Sequence, residues 1–246
     1  MKKEFPARLH VLLARHSPLA VVIRRGPAKQ VCTVGWNRED DSFELGQWLK
    51  GRIYEGGCDL SPDGKYMIYF AMKGGETYTA VSRAPWLKAI EFYSMSGTWE
   101  GGGLFLTENR FWLNAHDQKG KPLIHSDELE RQESDRPGDD YREGRLVRDG
   151  WKSSDLSKAY EKPLPKGWVL RKLYGSKDRY ELINKESNSL PECDDWEWAE
   201  VDGQTVIWTS KGCLYRASIE STETIGTPKL LFDFNPLKFE RIEAPY

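Results

Sequence analysis

The densest run of carboxylates in the chain is threaded with tryptophan: Glu192, Asp194, Asp195, Trp196, Glu197, Trp198 and Glu200. Rings that stack on a sugar, beside acids placed for hydrolysis, are what a glycan site requires. If the run is a strand, alternation puts Trp196 and Trp198 on one face and Glu197 on the other. A strand that buries its tryptophans and solvates its acids has the same pattern. Asp195, Trp196 and Trp198 therefore stand as binding candidates and not as a catalytic set. A glycan-active hydrolase or lectin would need acids from elsewhere, such as Asp59 and Glu100, to converge with Asp195.

His116-Asp117 and the pair His125 and Asp127 set imidazole near carboxylate, as general bases and metal sites do. Neither has a third ligand at a recognisable spacing, and solvated loop histidines are the simpler reading. His10 and His16, flanking an apolar run, carry less signal. Cys32, Cys58, Cys193 and Cys213 lie far apart, without zinc spacing, and read as reduced, partly buried thiols. No Gly-x-Ser-x-Gly nucleophile elbow is present. Gly56-Gly57 and Gly101-Gly102-Gly103 lack the Gly-Lys-Ser/Thr of a phosphate loop. Glycines entering a strand instead allow close packing or a bulge. No metal, nucleotide or other cofactor is implied. Arg24-Arg25 and Arg171-Lys172 are too few for a single-stranded nucleic-acid groove, which needs cations in register with stacking rings. As exposed strand charges they discourage edge pairing.

The elements that must position these residues are strands. Asp63-Gly64 followed by Ile68-Tyr69 is echoed by Asp202-Gly203 followed by Ile207-Trp208, each a tight turn ahead of an alternating apolar run. Turn signals at Ser17, Asp63 and Asn109 are 46 residues apart, and Asp202 lies close to three further steps on. Periods of about 40 to 50 residues are those of propeller blades, so roughly five units fill the chain. The last unit divides into strands over 196–201, 205–209, 213–219 and 229–234, joined by short turns suited to antiparallel neighbours. The first divides into 9–14, 19–24, 30–35 and 42–48, and the second into 58–60, 65–72, 77–82 and 89–93. Residues 169–174 and 180–184 read as a hairpin within the least regular unit. The expected fold is all-β, an irregular five-bladed propeller of four-stranded antiparallel units, with a β-sandwich or barrel as the alternative.

Ser61-Pro62-Asp63-Gly64-Lys65 resembles the turn of TolB-like β-propeller repeats, which links inner strands of a blade, and Val201-Asp202-Gly203-Gln204 is a partial second copy. The resemblance implies the propeller fold and no function, because propellers host scaffolds, ligand binders and hydrolases alike. From about 117 to 160 the rhythm breaks into charge and turn formers, read as a long surface insertion with one helical turn, mobile on the simpler reading and a lid or partner-binding segment on the functional one. Trp151 and Trp168, after its most charged part, are candidate aromatic anchors for a partner, or caps on the core.

A chain of 246 residues suits a single β domain, 1–246. Its 36 basic and 38 acidic residues give a net charge of −2, without the basic excess of a phosphate-backbone binder. The apolar stretch near the N-terminus is short and contains His10, and no segment approaches a membrane span. A cytoplasmic protein without a membrane or nucleic-acid partner is expected. The functional expectation is a non-enzymatic recognition protein that binds another protein, as a scaffold subunit or a neutralising, immunity-type partner. A glycan hydrolase or lectin is the alternative.

Overall fold

A computed structural model describes residues 5–27, 29–115, 121–133, 141–154, 159–175, 178–184, 186 and 192–246. The fold is all-β, with several four-stranded antiparallel sheets. The first sheet runs β1 (Arg8–Leu13), β2 (Leu19–Arg25), β3 (Gln30–Asn37) and β4 (Ser42–Lys50) in chain order. The second contains β5 (Arg52–Ile53), β6 (Asp59–Leu60), β7 (Tyr66–Lys73), β8 (Glu76–Arg83) and β9 (Ala89–Met95), with β5 and β6 both paired to β7. The third is smaller: β10 (Gly103–Phe105), β11 (Arg110–Leu113) and β12 (Glu130–Arg131), the last joining β11 in parallel. The fourth is β13 (Lys152–Ser153), β14 (Ala159–Pro163), β15 (Val169–Leu173) and β16 (Arg179–Ile183). The fifth is β17 (Trp196–Asp202), β18 (Thr205–Ser210), β19 (Cys213–Ser218) and β20 (Lys229–Asp233).

The expected strands of the first, second and fifth units lie where alternation placed them, give or take a residue or two at their ends. The recurring turn leads into the first long inner strand of four of the sheets: Ser17-Pro18 before β2, Asp63-Gly64 between β6 and β7, Glu108-Asn109 before β11 and Gly203-Gln204 before β18. Its period reappears as hydrogen bonds between matching positions of adjacent sheets. The Ser17 hydroxyl donates to the Asp63 carbonyl at 2.8 Å, and the Phe105 N–H donates to Asp59 Oδ2 at 2.7 Å, each bond spanning 46 residues.

The chain divides into two compact units, Met1–His10 with Leu146–Leu237 and Val11–Arg145 with Lys238–Tyr246. The first holds the fourth and fifth sheets around Trp151, Trp168, Leu170, Leu182, Trp196, Val206 and Trp208. Each buried aromatic removes about 150–250 Å2 from water. At about 25 cal/mol per Å2 that is on the order of 4–6 kcal/mol before entropy is charged against it. The second unit packs Ile23, Val31, Ile53, Met67 and Tyr69 between its first two sheets. A further cluster of Ile68, Val81, Phe105, Phe111 and Leu129 joins the second sheet to the third.

Two sequence expectations change. Trp196 and Trp198 do not share a face. Trp196 lies opposite Ser210 and Trp198 opposite Thr209, so the bulge at Glu197 inserts one residue and turns the tryptophans to opposite sides. The charged stretch 117–160 is also more than a surface insertion. Ile124 bridges to Phe92, and β12 and helix α1 (Tyr141–Arg148) follow. Leu129 and Leu146 are buried. A handful of apolar residues among many charges is enough to stitch the segment to the sheets. His116, Asp117, Ser134-Asp135 and 137–140 lie outside the described residues.

Candidate functional site

The aromatic candidates are interior residues. The helix α1 ends in a Schellman turn, with Gly150 left-handed (φ 90°), the Trp151 N–H on the Leu146 carbonyl at 2.9 Å and the Gly150 N–H on that of Val147 at 3.1 Å. This turn delivers Trp151 into the core, 2% exposed, where its indole N–H donates to Glu200 Oε2 at 2.9 Å. Lys162 pairs with the other oxygen of Glu200 at 2.8 Å. Trp168, 1% exposed, donates its indole N–H to the Ser221 carbonyl at 2.8 Å. Trp196 stacks on Trp208 with ring centres 4.6 Å apart, and buried Trp198 meets His10 edge-on at 6.5 Å. Asp195 is exposed and pairs with Lys211 at 2.5 Å.

The other acids of the glycan expectation have structural partners. Asp59 is buried on the Phe105 N–H, and Glu100 accepts from the Ser96 hydroxyl. The basic pairs are engaged as well. Arg25 pairs with Glu55, Arg171 with Glu161 and Glu181, and Lys172 with Asp178, at 2.8–3.2 Å. Among the described residues no group of three or more His, Cys, Asp or Glu is placed to hold a metal ion.

A different surface stands out around β9. The loop leaving its end carries Trp99, 98% exposed. The far side of that loop is locked. Gly101 and Gly102 are left-handed, at φ 112° and 79°, and side chains there would meet the Phe70 ring at 2.2 Å and the Gly57 carbonyl at 2.1 Å. Their N–H groups donate to the Asn114 carbonyl (2.6 Å) and the Thr79 hydroxyl (2.8 Å), and Asn114 Nδ2 donates to the Gly101 carbonyl at 3.2 Å. The reading of these glycines as close-packing residues thus describes the base of the loop. Trp99 itself was missed, because one tryptophan among polar residues has no period to reveal it.

Along the free edge of β9 lies a ledge. The Leu123 N–H donates to the Phe92 carbonyl at 2.7 Å and the Phe92 N–H to the Ile124 carbonyl at 3.0 Å, leaving the side chains of Leu123 (73%) and Ile124 (46%) in solvent. The ledge is pinned by Glu91, 1% exposed, whose Oε1 takes His125 Nδ1 at 2.8 Å and the Ser126 N–H at 2.9 Å. Its Oε2 takes the Tyr93 hydroxyl at 2.8 Å; burial and that contact both raise the Tyr93 phenol. His125 Nε2 faces outward, 3.6 Å from exposed Asp127. The expected His125–Asp127 pairing is the outer half of this arrangement, and its buried half, Glu91, comes from a strand 34 residues earlier.

A second clamp follows. Tyr66 donates to Glu128 Oε2 at 2.7 Å, and Arg83 bonds Glu128 Oε1. These two bonds hold the Glu128 carboxyl below its usual range. Burial, aided by Glu128, pushes the Tyr66 phenol up to about 12.

No family model matches the chain, and no curated protein matches its sequence. Among solved structures it is similar to an uncharacterized protein from Listeria monocytogenes EGD-e. That match has 9% identity and a TM-score of 0.34, covering 94% of this chain and 67% of the other.

Chemically, the loop after β9 offers one exposed indole, Trp99, and the ledge on the β9 edge offers aliphatic contact from Leu123 and Ile124 next to His125 and Asp127. Exposed aromatic and aliphatic groups with polar neighbours are the chemistry protein surfaces use to bind one another.

Proposed function

We propose that the protein is a non-enzymatic recognition module that binds another protein through the surface around β9, with Trp99 as its anchor. The observation that carries this reading is Trp99 itself, 98% exposed on a loop whose base is held by the hydrogen bonds of Gly101 and Gly102. Holding an indole in water forgoes the burial that tryptophans such as Trp112, Trp151 and Trp168 obtain, and a fixed base lowers the entropy lost on binding. A scaffold subunit and a neutralising, immunity-type partner would both use such a surface. In the same proposal the five sheets are blades of an irregular five-bladed propeller. Their chain order and their recurring first turn support it. The four uncrosslinked cysteines support a reducing, cytoplasmic setting. The glycan reading has less support, since Trp196 and Trp198 are buried and Asp59 is spent on a backbone N–H.

The test is capture from native lysate with tagged wild type and Trp99→Ala in parallel, with thermal melts of both. A stoichiometric protein retained by wild type and lost by the variant, at equal melting temperature, is the expected result. Equal retention by both, or no protein retained, would overturn it.

A further inference from the structure

A cleft of about 240 Å3 opens in the second unit, walled by Trp48, Leu49, Tyr69, Tyr78 and Phe92, with Lys73 and Lys88 also lining it. The walls are pre-assembled. Tyr78 stacks on Phe92 at 4.9 Å, Tyr69 meets Tyr78 edge-on at 6.2 Å, and the Tyr69 hydroxyl is fixed on the Leu87 carbonyl at 2.7 Å. Cross-strand register explains the grouping: Tyr78 lies on β8 between Ala71 of β7 and Ser94 of β9, two residues from Ala80, the partner of both Tyr69 and Phe92, so the three rings share one face.

The charged groups lining it are both cations, and the acceptors Gln47 Oε1 and the Leu87 carbonyl are already taken by the Leu87 N–H and the Tyr69 hydroxyl. Exposed Lys73 forms no ion pair among the described residues, although its cross-strand neighbour is Glu76. Lys88 lies 5.1 Å from the centre of the Tyr246 ring. The Trp48 indole N–H is buried and lacks a hydrogen-bond acceptor in the structure. The C-terminal segment borders the cleft without strand pairing: Phe239 packs on Trp48, the Ile242 carbonyl accepts from Gln47 Nε2 at 2.8 Å, and the Tyr246 hydroxyl donates to the Lys88 carbonyl at 2.7 Å.

We infer that this cleft binds a small planar aromatic carrying a carboxylate, its rings between the Tyr78 and Trp48 walls and its charge toward Lys73 and Lys88. Aromatic walls select a flat apolar body, and two lysines without a lining carboxylate select a negative charge over a neutral or positive one. A two-ring aromatic is long enough to touch both aromatic walls while its carboxylate reaches a lysine at the rim. Trp99 does not line the cleft, although Phe92 belongs both to its wall and to the strand that carries the ledge.

The experiment is calorimetric titration of the intact protein with 2-naphthoate and, separately, with neutral 2-naphthalenemethanol. Lys73→Ala, Lys88→Ala and a control, Lys229→Ala on β20, are titrated in the same way. Expected are one saturable naphthoate site, at least tenfold weaker binding of the alcohol, a several-fold loss for each of the Lys73 and Lys88 variants, and no change for Lys229→Ala. Absence of saturable binding, equal binding of acid and alcohol, or affinity indifferent to both cleft lysines would each overturn the assignment.

Discussion

Gly64 and Gly203 hold the same place in the two copies of the Asp-Gly turn, both left-handed at φ 80° and 58°. Their surroundings differ. A side chain at Gly203 would meet nothing within 4 Å, whereas at Gly64 it would strike Leu19 Cβ at 2.7 Å. Gly203→Ala therefore carries only left-handed strain, about 1 kcal/mol. Gly64→Ala adds a clash with a packed neighbour and is expected to cost about 2–3 kcal/mol. Urea melts of the two variants check the order, and equal losses would mean that Leu19 yields freely. The thiols give a second test at this scale. Burial pushes Cys32 and Cys58 up to about 12 and Cys193 to about 11, while Cys213 is the most accessible of the four. Ellman's reagent at pH 8 should modify Cys213 first and reach the others only on unfolding; rapid reaction of all four would contradict the packing. The unfolded chain releases these protons from about 9, the folded chain only near 11 to 12. This contribution to stability is thus complete below pH 9 and is lost as pH rises through that window.

Among the elements, the ledge on β9 depends on one buried carboxylate. Glu91→Gln keeps the shape but removes the charge that gathers His125, Ser126 and Tyr93. We expect a loss of about 1–3 kcal/mol. The Leu123 amide, bonded to the Phe92 carbonyl, should exchange with solvent at least tenfold faster, read by hydrogen exchange. Unchanged exchange would show that backbone pairing alone holds the ledge. Elements such as β2, β7 and β18 were legible in the sequence because alternation and turn residues are local signals. The bulge at Glu197 was not. It is set by pairing with Ser210 and Thr209 and by the Leu9 N–H on Glu197 Oε2 at 3.2 Å, partners distant in sequence. The same limit hid Glu91 behind His125, and hid the buried anchors Leu129 and Leu146 inside a stretch whose composition reads as solvent.

For the whole molecule, near-neutral net charge and the all-β architecture followed from composition and period. The division into units did not, because residues 1–10 group with 146–237, and 238–246 with 11–145, by contacts between chain ends and distant sheets. The candidate surface was legible only as glycines that pack closely; its exposed indole has no repeating partner in the sequence. Binding by Trp99 is the central claim, and a truncated hot-spot aromatic typically forfeits about 2 kcal/mol or more, roughly 30-fold in affinity. The most direct measurement is therefore the dissociation constant of wild type and Trp99→Ala for the protein captured from native lysate, taken with matched thermal melts. Affinity at least 30-fold weaker at an unchanged melting temperature is expected, and equal affinity for the two proteins would contradict it.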